Sequence, residues 1–338
     1  MNQYLQIVHE IKAANYIVIT AHKSPDGDSV GSSLGLLHFI EKLGKTAVIC
    51  HPDPAPDFLS WLEGIDQILT ITNNQPAIEL LFEQADLIFC LDYNGTDRVG
   101  KEMQALLEKA TCKKIMIDHH LNPQDFATIT VSETEVCSTS QLICELIIQS
   151  DNTYLFNAAI GTPLYLGILT DTGSFRFPSV QPRTHQILAI LLEAGVKHHL
   201  IHENLNDNNT LSRLKLQGYA LSEKLEVLPE YQVAIMSLTN EELVKYNYQK
   251  GDTDALVNIA LSIKGVKVAM FFSERDGMIK ISFRSKGKEN PVNVLASDHF
   301  SGGGHANASG GMSEISMEAT LEKVKSLIPQ YFGEKLEA

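Results

Sequence analysis

The chain has 338 residues, 44% of them hydrophobic, enough for two or three cored domains, and its formal net charge of −14 excludes a protein that holds long nucleic acid by neutralising phosphates. No apolar run approaches the ~18 residues that span a bilayer, and the start MNQYLQIVHEIKAAN lacks a basic flank followed by an apolar core, so a soluble, unexported protein is expected. Five cysteines, an odd number without a CxxC pair, read as reduced thiols of a cytoplasmic protein.

In chain order, residues 1–14 read as an amphipathic helix and 16–20 (YIVIT) as a short buried strand. A loop with His22, Asp26, Gly27 and Asp28 then leads into a helix over 28–43 that stops at Gly44. A second strand, 46–50 (TAVIC), is stopped by the proline-rich 51–56. A third, 86–91 (DLIFCL), ends at Asp92, and a fourth, 114–117 (KIMI), ends at Asp118-His119-His120. Asp171 follows the apolar segment 155–169, and a helix over 182–195 closes the first domain. A polar stretch with some helical character reads as a linker over 205–227, between a domain of residues 1–204 and one of 228–338. The second domain has strands predicted at 231–238, 266–273 and 278–284 and helices at 252–263, 291–299 and 317–331.

Metal-type side chains thus recur at the ends of three strands, and a parallel sheet gathers the carboxyl ends of its strands along one edge. Taken singly, the residues of the first loop also suit an Asx-type turn with Asp28 or Ser29 capping the helix, and Asp92 and Asp171 suit turns. Taken together, six oxygen or nitrogen ligands on four segments exceed the needs of one metal and suit two cations sharing a carboxylate, ~3.5–4 Å apart. Asp and His ligation without thiolates favours Mn2+ over Zn2+, with Mg2+ a weaker candidate. Arg98 and Arg176 lie close in sequence to the ligands and suit either substrate phosphates or structural ion pairs. His198, His199 and His202 give an i, i+4 pair at a helix end but lack a third ligand, and are expected to face solvent.

His22-xxx-Asp26-Gly-Asp28, Asp92, Asp118-His119-His120 and Asp171 resemble the four phosphoesterase motifs of the DHH superfamily, and Gly302-Gly303-Gly304-His305 with the Ala- and Gly-rich 306–311 resembles its associated C-terminal domain. Length and the PDGDSVGS stretch are most similar to the oligoribonuclease group called nano-RNases, which also act on 3′-phosphoadenosine 5′-phosphate. The resemblance implies an α/β fold: a mainly parallel sheet flanked by helices, a smaller C-terminal α/β domain joined by a linker, and an active-site cleft between them. It implies that His22 and Asp26 bind one metal, that Asp28, His119 and Asp171 bind the other, and that Asp92 bridges both. His120 is left for a substrate phosphate or leaving group, with Asp118 as the partner that orients an imidazole. Arg284, Ser285, Gly303, Gly304 and His305 are implied to hold substrate through guanidinium, imidazole and backbone N–H groups.

The function so implied is hydrolysis of short oligoribonucleotides to mononucleotides, and of 3′-phosphoadenosine 5′-phosphate to AMP, by a hydroxide bridging two divalent cations. The expected partners are short RNA or phosphorylated nucleotides, not long duplexes or membranes, with a second copy of the chain as a further candidate. Cyclic- or linear-dinucleotide hydrolysis is the alternative within this chemistry. Inorganic pyrophosphatase is disfavoured by the 302–305 loop, and a catalytically silent nucleotide-binding module by the intact ligand set.

Overall fold

Six short runs of the first half, β1 (Ile17–Ala21), β2 (Ala47–His51), β3 (Leu69–Thr70), β4 (Leu87–Leu91), β5 (Lys113–Asp118) and β6 (Ile129–Ser132), pair in parallel in the order β3-β2-β1-β4-β5-β6. They belong to a computed structural model that describes residues 2–254 and 256–333 and divides into two units, Met1–Asn208 and Asn209–Ala338. The helices of the first unit are α1 (Gln3–Ala13), α2 (Gly27–Lys42), α3 (Ile71–Gln84), α4 (Lys101–Lys109), α5 (Thr139–Gln149), α6 (Ala158–Asp171), α7 (Pro182–Glu193) and α8 (His198–Asn206).

An all-parallel sheet needs cover on both faces, and strand alternation supplies it. Ile17, Ile19, Leu87, Phe89 and Leu91 join a core with residues of α1, α2, α5, α6 and α7, whereas Val18, Ile88 and Cys90 join a second core with Ile78, Phe82, Met103 and Leu107 of α3 and α4. The strand order places the outcome for function. From β1 the chain moves outward to β2 and β3, then returns to β4 beside β1 and moves the other way, so the direction reverses at the β1/β4 junction. Connections that leave in opposite directions open a crevice beyond the carboxyl ends of those two strands.

Helices α2 and α6 approach closely because Gly31 presents no side chain: a Cβ there would lie 2.4 Å from the Pro163 carbonyl oxygen and 3.1 Å from the Gly167 nitrogen. Gly31→Ala gains ~1 kcal/mol of helix propensity, but the clash with backbone costs more. We expect a net loss of about 2 kcal/mol, read as a lower melting temperature of the first unit; an unchanged or raised melting temperature contradicts the close-packing assignment.

In the second unit, β7 (Leu225–Leu228), β8 (Val233–Leu238), β9 (Val268–Arg275), β10 (Met278–Ser285), β11 (Gly303–His305) and β12 (Ala308–Ser313) form a sheet in the order β11-β12-β10-β9-β8-β7, parallel only between β8 and β9. One face packs on Leu295, Val324 and Ile328 of α12 (Asn293–His299) and α13 (Met317–Phe332); the other packs on Leu216, Leu243 and Val257. Those three residues belong to α9 (Leu211–Glu223), α10 (Asn240–Lys245) and α11 (Leu256–Leu261).

Two expectations are corrected here. The stretch expected as a linker is not one: Leu211–Glu223 is a helix whose Leu216 and Ala220 are buried in the core of the second unit, and β7 follows it. The glycines expected as a loop form the short edge strand β11. Among the described residues no helix is long and apolar enough to cross a membrane, and all five cysteines are free thiols.

Candidate metal centre

The two strands at the reversal point each deliver a metal-type side chain to the crevice. His22 follows β1 and Asp92 follows β4, and His22 Nε2 lies 3.4 Å from Asp92 Oδ2 and 3.7 Å from Asp26 Oδ2. The other ring nitrogen, Nδ1, is 2.9 Å from the Lys23 carbonyl, which accepts a hydrogen bond from its N–H and leaves Nε2 turned to the carboxylates. Asp92 adopts φ +63°, a left-handed conformation that aspartate tolerates better than most residues and that here turns the chain at the strand end.

Asp26 is the N-cap of α2. Its Oδ1 accepts from the backbone N–H groups of Asp28 (3.1 Å) and Ser29 (3.0 Å), and Ser29 Oγ accepts from the Asp26 N–H. The cap expected of Asp28 or Ser29 is therefore Asp26, with Ser29 as reciprocal partner; capping and facing His22 use different oxygens of one carboxylate.

Asp28 is wholly buried. Its oxygens accept from the backbone N–H groups of Thr139 (2.6 Å) and Ser140 (2.9 Å), the first residues of α5, whose positive end suits a carboxylate. The Thr139 hydroxyl donates to Asp92 Oδ1 at 3.0 Å. Sequence reasoning missed Thr139. The usable signal was Ser138-Thr139-Ser140 before an apolar run, a helix start whose Ser138 side chain caps Gln141 N–H. His119, just after β5, completes the cluster: its Nε2 lies 3.3 Å from Asp171 Oδ2, 3.5 Å from Asp92 Oδ1 and 4.0 Å from Asp28 Oδ2. Asp171 ends α6, and the chain turns sharply after it through Gly173, Ser174 and Phe175, all with positive φ.

Three triads thus bring ligand atoms within 4.8 Å of one another: His22, Asp26, Asp92; Asp28, His119, Asp171; and Asp92, His119, His120. The donor set fits divalent cations. Most of these nitrogen–oxygen separations exceed the 2.7–3.2 Å of an N–H···O hydrogen bond and approach the ~3 Å edge of an octahedron with ligands at ~2.1 Å. Four carboxylates share the pocket, and no Lys or Arg among the described residues forms an ion pair with any of them. Asp92 turns Oδ2 to His22 and Oδ1 to His119, one oxygen to each side.

Protons partly offset that charge when cations are absent. Burial disfavours the His22 and His119 imidazolium ions, but the facing carboxylates outweigh it and raise the two groups to about 11 and about 10. Burial and the nearby Asp92 charge push Asp171 up to about 7 and Asp28 well above the usual carboxylate range. Asp92 is held low despite burial by His119 and His22, and Asp26 is held low by His22.

His120 belongs to the third triad, its Nδ1 3.8 Å from Asp92 Oδ1, but that nitrogen also has a closer partner. Asp118, buried at the end of β5, accepts from His120 Nδ1 at 2.7 Å and from the His120 backbone N–H at 3.1 Å, so the imidazole it orients is that of His120. Arg98 and Arg176 are exposed and form no ion pair among the described residues. The Arg98 carbonyl accepts from the Lys23 N–H, and Arg176 Nε donates to the Gly173 carbonyl. His198 and His202 stack edge to face with ring centroids 6.1 Å apart, begin a helix rather than end one, and belong to no metal-type group among the described residues.

In the second unit, Arg284 and His305 both sit opposite Ala308, on either side of β12, so they share one cross-strand row. Arg284 is half-buried without a carboxylate partner, and burial lowers its pKa. Gly303, Gly304 and His305 are exposed; Ser285 is buried and accepts from Asn307 Nδ2 at 2.8 Å, which ties the β10 end to the β11–β12 turn.

Residues 16–168 match the model of the DHH family, N-terminal domain, and residues 230–332 match the DHHA1 domain. A relative from Mycoplasma genitalium, named bifunctional oligoribonuclease and PAP phosphatase NrnA, is 30% identical over 310 residues, 90% of this chain and 91% of that one. The chain belongs to the DHH family. The crystal structure of an exopolyphosphatase-related protein from Bacteroides fragilis superposes with a TM-score of 0.93 and 40% identity, covering 97% of this chain and 96% of that one. The cyclic-di-AMP phosphodiesterase PdeA of Listeria monocytogenes is 26% identical over 95% of this chain but only 48% of its own length.

The DHH cluster makes metal binding pH-dependent with a definite sign. In the metal-free protein, the raised groups favour folding when protonated. For His22 and His119 that contribution is complete below ~6.5 and is lost as pH rises through about 10 to 11; for Asp171 it is complete below the usual carboxylate value and is lost by about 7. Asp26 and Asp92 run the other way, contributing above the usual value and losing that contribution as pH falls through their lowered pKa values. Cations must displace the imidazole protons. Mn2+ is therefore expected to raise the melting temperature more at about pH 8.5 than at about pH 6; equal shifts would place the metal away from these imidazoles.

Proposed function

We propose that this chain is a phosphoesterase that hydrolyses short oligoribonucleotides to mononucleotides and 3′-phosphoadenosine 5′-phosphate to AMP, acting in the cytoplasm with two divalent cations, Mn2+ foremost and Mg2+ second. The observation that carries the proposal is Asp92, whose two oxygens face two separate His/Asp triads. In this reading His22 and Asp26 would hold one cation, Asp28, His119 and Asp171 would hold the other, and Asp92 would serve both. When bound, such a pair lowers the pKa of water and neutralises charge developing on the phosphoryl oxygens.

The remaining groups have roles that follow from their own placement. The Lys23 carbonyl and the start of α5 fix His22 and Asp28 before any ligand arrives, so little reorganisation is needed. Asp118 holds His120 Nδ1 and orients the ring, which would leave Nε2 for the departing oxygen of the substrate. Arg284 and His305 would grip a second phosphate with charge-assisted hydrogen bonds, assisted by exposed backbone at Gly303 and Gly304; Ser285 supports that turn through Asn307. Arg98 and Arg176, both exposed and without carboxylate partners, would add electrostatic attraction for the substrate.

The likeness to PdeA sustains a second reading, cyclic-dinucleotide hydrolysis, but the match to the NrnA relative runs nearly end to end on both chains. A substrate panel with Mn2+ separates them: kcat/KM for a linear diribonucleotide, a five-residue RNA, 3′-phosphoadenosine 5′-phosphate and a cyclic diadenylate. The proposal expects the first three to lead. A cyclic substrate in first place overturns the substrate assignment, and no turnover of any overturns the enzyme assignment.

A further inference from the structure

The second unit contains a cavity of about 580 Å³, lined by Asn240, Leu243, Val244, Asn247, Tyr248, Lys250, Arg275, Asp276 and Lys280, none of which has a part in the chemistry above. It lies beyond the carboxyl ends of β8 and β9, the parallel pair of this sheet, where α/β folds tend to place ligands. Arg284 lies four positions beyond Lys280, the cavity residue of β10, about 14 Å along the strand.

Arg275 gives the cavity its character. Its Nε donates to Ser273 Oγ at 2.7 Å, Nη2 donates to Thr253 Oγ1 at 2.9 Å, Nη1 donates to the Tyr248 hydroxyl, and the guanidinium lies 4.8 Å over the Tyr248 ring. Ser273 and Thr253 are almost wholly buried, so the fork is held in one orientation. All three acceptors are neutral, and Arg275 forms no ion pair among the described residues. None of these bonds goes to a carboxylate, although the adjacent Asp276 feels the Arg275 charge, and two of the guanidinium's five N–H groups remain for another partner.

Lys250 and Lys280 add two more cations, and the facing carboxylate is Asp276, bound to Lys280 at 2.8 Å in an exposed pair of little strength. Three cations against one carboxylate, on a chain with a net charge of −14, mark an anion site. The cavity exceeds what a bare phosphate fills and falls in the range of small-molecule sites. Its apolar wall is built by buried Leu243 and by Val244, which is 68% exposed.

We infer that this cavity is a second, non-catalytic site for a nucleoside monophosphate, with the phosphate on Arg275, Lys250 and Lys280 and the base against Leu243 and Val244. The test titrates the Mn2+-loaded full chain with AMP, inorganic phosphate and adenosine by calorimetry, in the wild type and in the double variant Lys250→Glu/Lys280→Glu. The wild type should show a class of AMP sites that the double variant weakens at least about tenfold, while both hydrolyse a small activated phosphodiester at the same rate. Inorganic phosphate and adenosine should each bind this class more weakly than AMP does. An AMP isotherm unchanged in the double variant overturns the site; phosphate binding as tightly as AMP overturns the nucleotide assignment. Arg275→Gln should also lose this class of sites. If it lowers the melting temperature but leaves AMP binding intact, Arg275 is only a structural tie between Tyr248 and Thr253, and the inference fails.

Discussion

Asp92→Asn should lower kcat/KM for a diribonucleotide by about a thousandfold or more, about 4 kcal/mol of transition-state stabilisation, while the protein stays folded. Asparagine tolerates the φ of +63° at this position and can still accept from the Thr139 hydroxyl, so shape and backbone are kept. What disappears is the charge shared by the two triads. Its removal relieves repulsion on Asp28 and Asp171 but also takes away the carboxylate that holds the His22 and His119 protons, so the metal-free variant should fold yet melt below the wild type at neutral pH. Elemental analysis beside the kinetics checks the cause: metal content should fall with the rate. Normal loading together with a normal rate would remove the bridging assignment.

Arg284→Ala should reduce kcat/KM for diribonucleotides and for 3′-phosphoadenosine 5′-phosphate by about a hundredfold, about 3 kcal/mol, as expected for loss of a charge-assisted phosphate contact. A small activated phosphodiester, which has no second phosphate to hold, should change by no more than about threefold. The separation rests on the local structure of Arg284. Among the described residues it has no carboxylate partner, and its guanidinium donates from Nη1 to the neighbouring Phe283 carbonyl at 2.9 Å, so truncation removes little that holds the sheet together. Equal losses on both substrate classes would mean that Arg284 serves the fold instead of the substrate.

The strands that deliver ligands were legible because each is a short run of β-branched or apolar residues broken by a metal-type side chain: YIVIT before His22, DLIFCL before Asp92, KIMI before Asp118. Their strand order was not legible, since no local pattern records that β4 returns to lie beside β1, and that return brings His22 and Asp92 within 3.4 Å. Thr139 was hidden for a similar reason. A capped helix start can be read from Ser138-Thr139-Ser140, but that it points at Asp28 and Asp92 is a property of packing. The supposed linker failed because Leu211–Glu223 is largely polar, and its Leu216 and Ala220 count as core only against the sheet of the second unit. The cap was assigned to Asp28 or Ser29 because one Asp26 carboxylate that both caps α2 and faces His22 leaves no separate trace in sequence.

The most direct test of the account is a titration of metal-free protein with Mn2+ in which bound metal and diribonucleotide hydrolysis are followed in the same sample. Two cations sharing Asp92 predict two Mn2+ per chain at saturation, with activity emerging as the second equivalent binds. Full activity at one bound equivalent, or saturation at one, would contradict it.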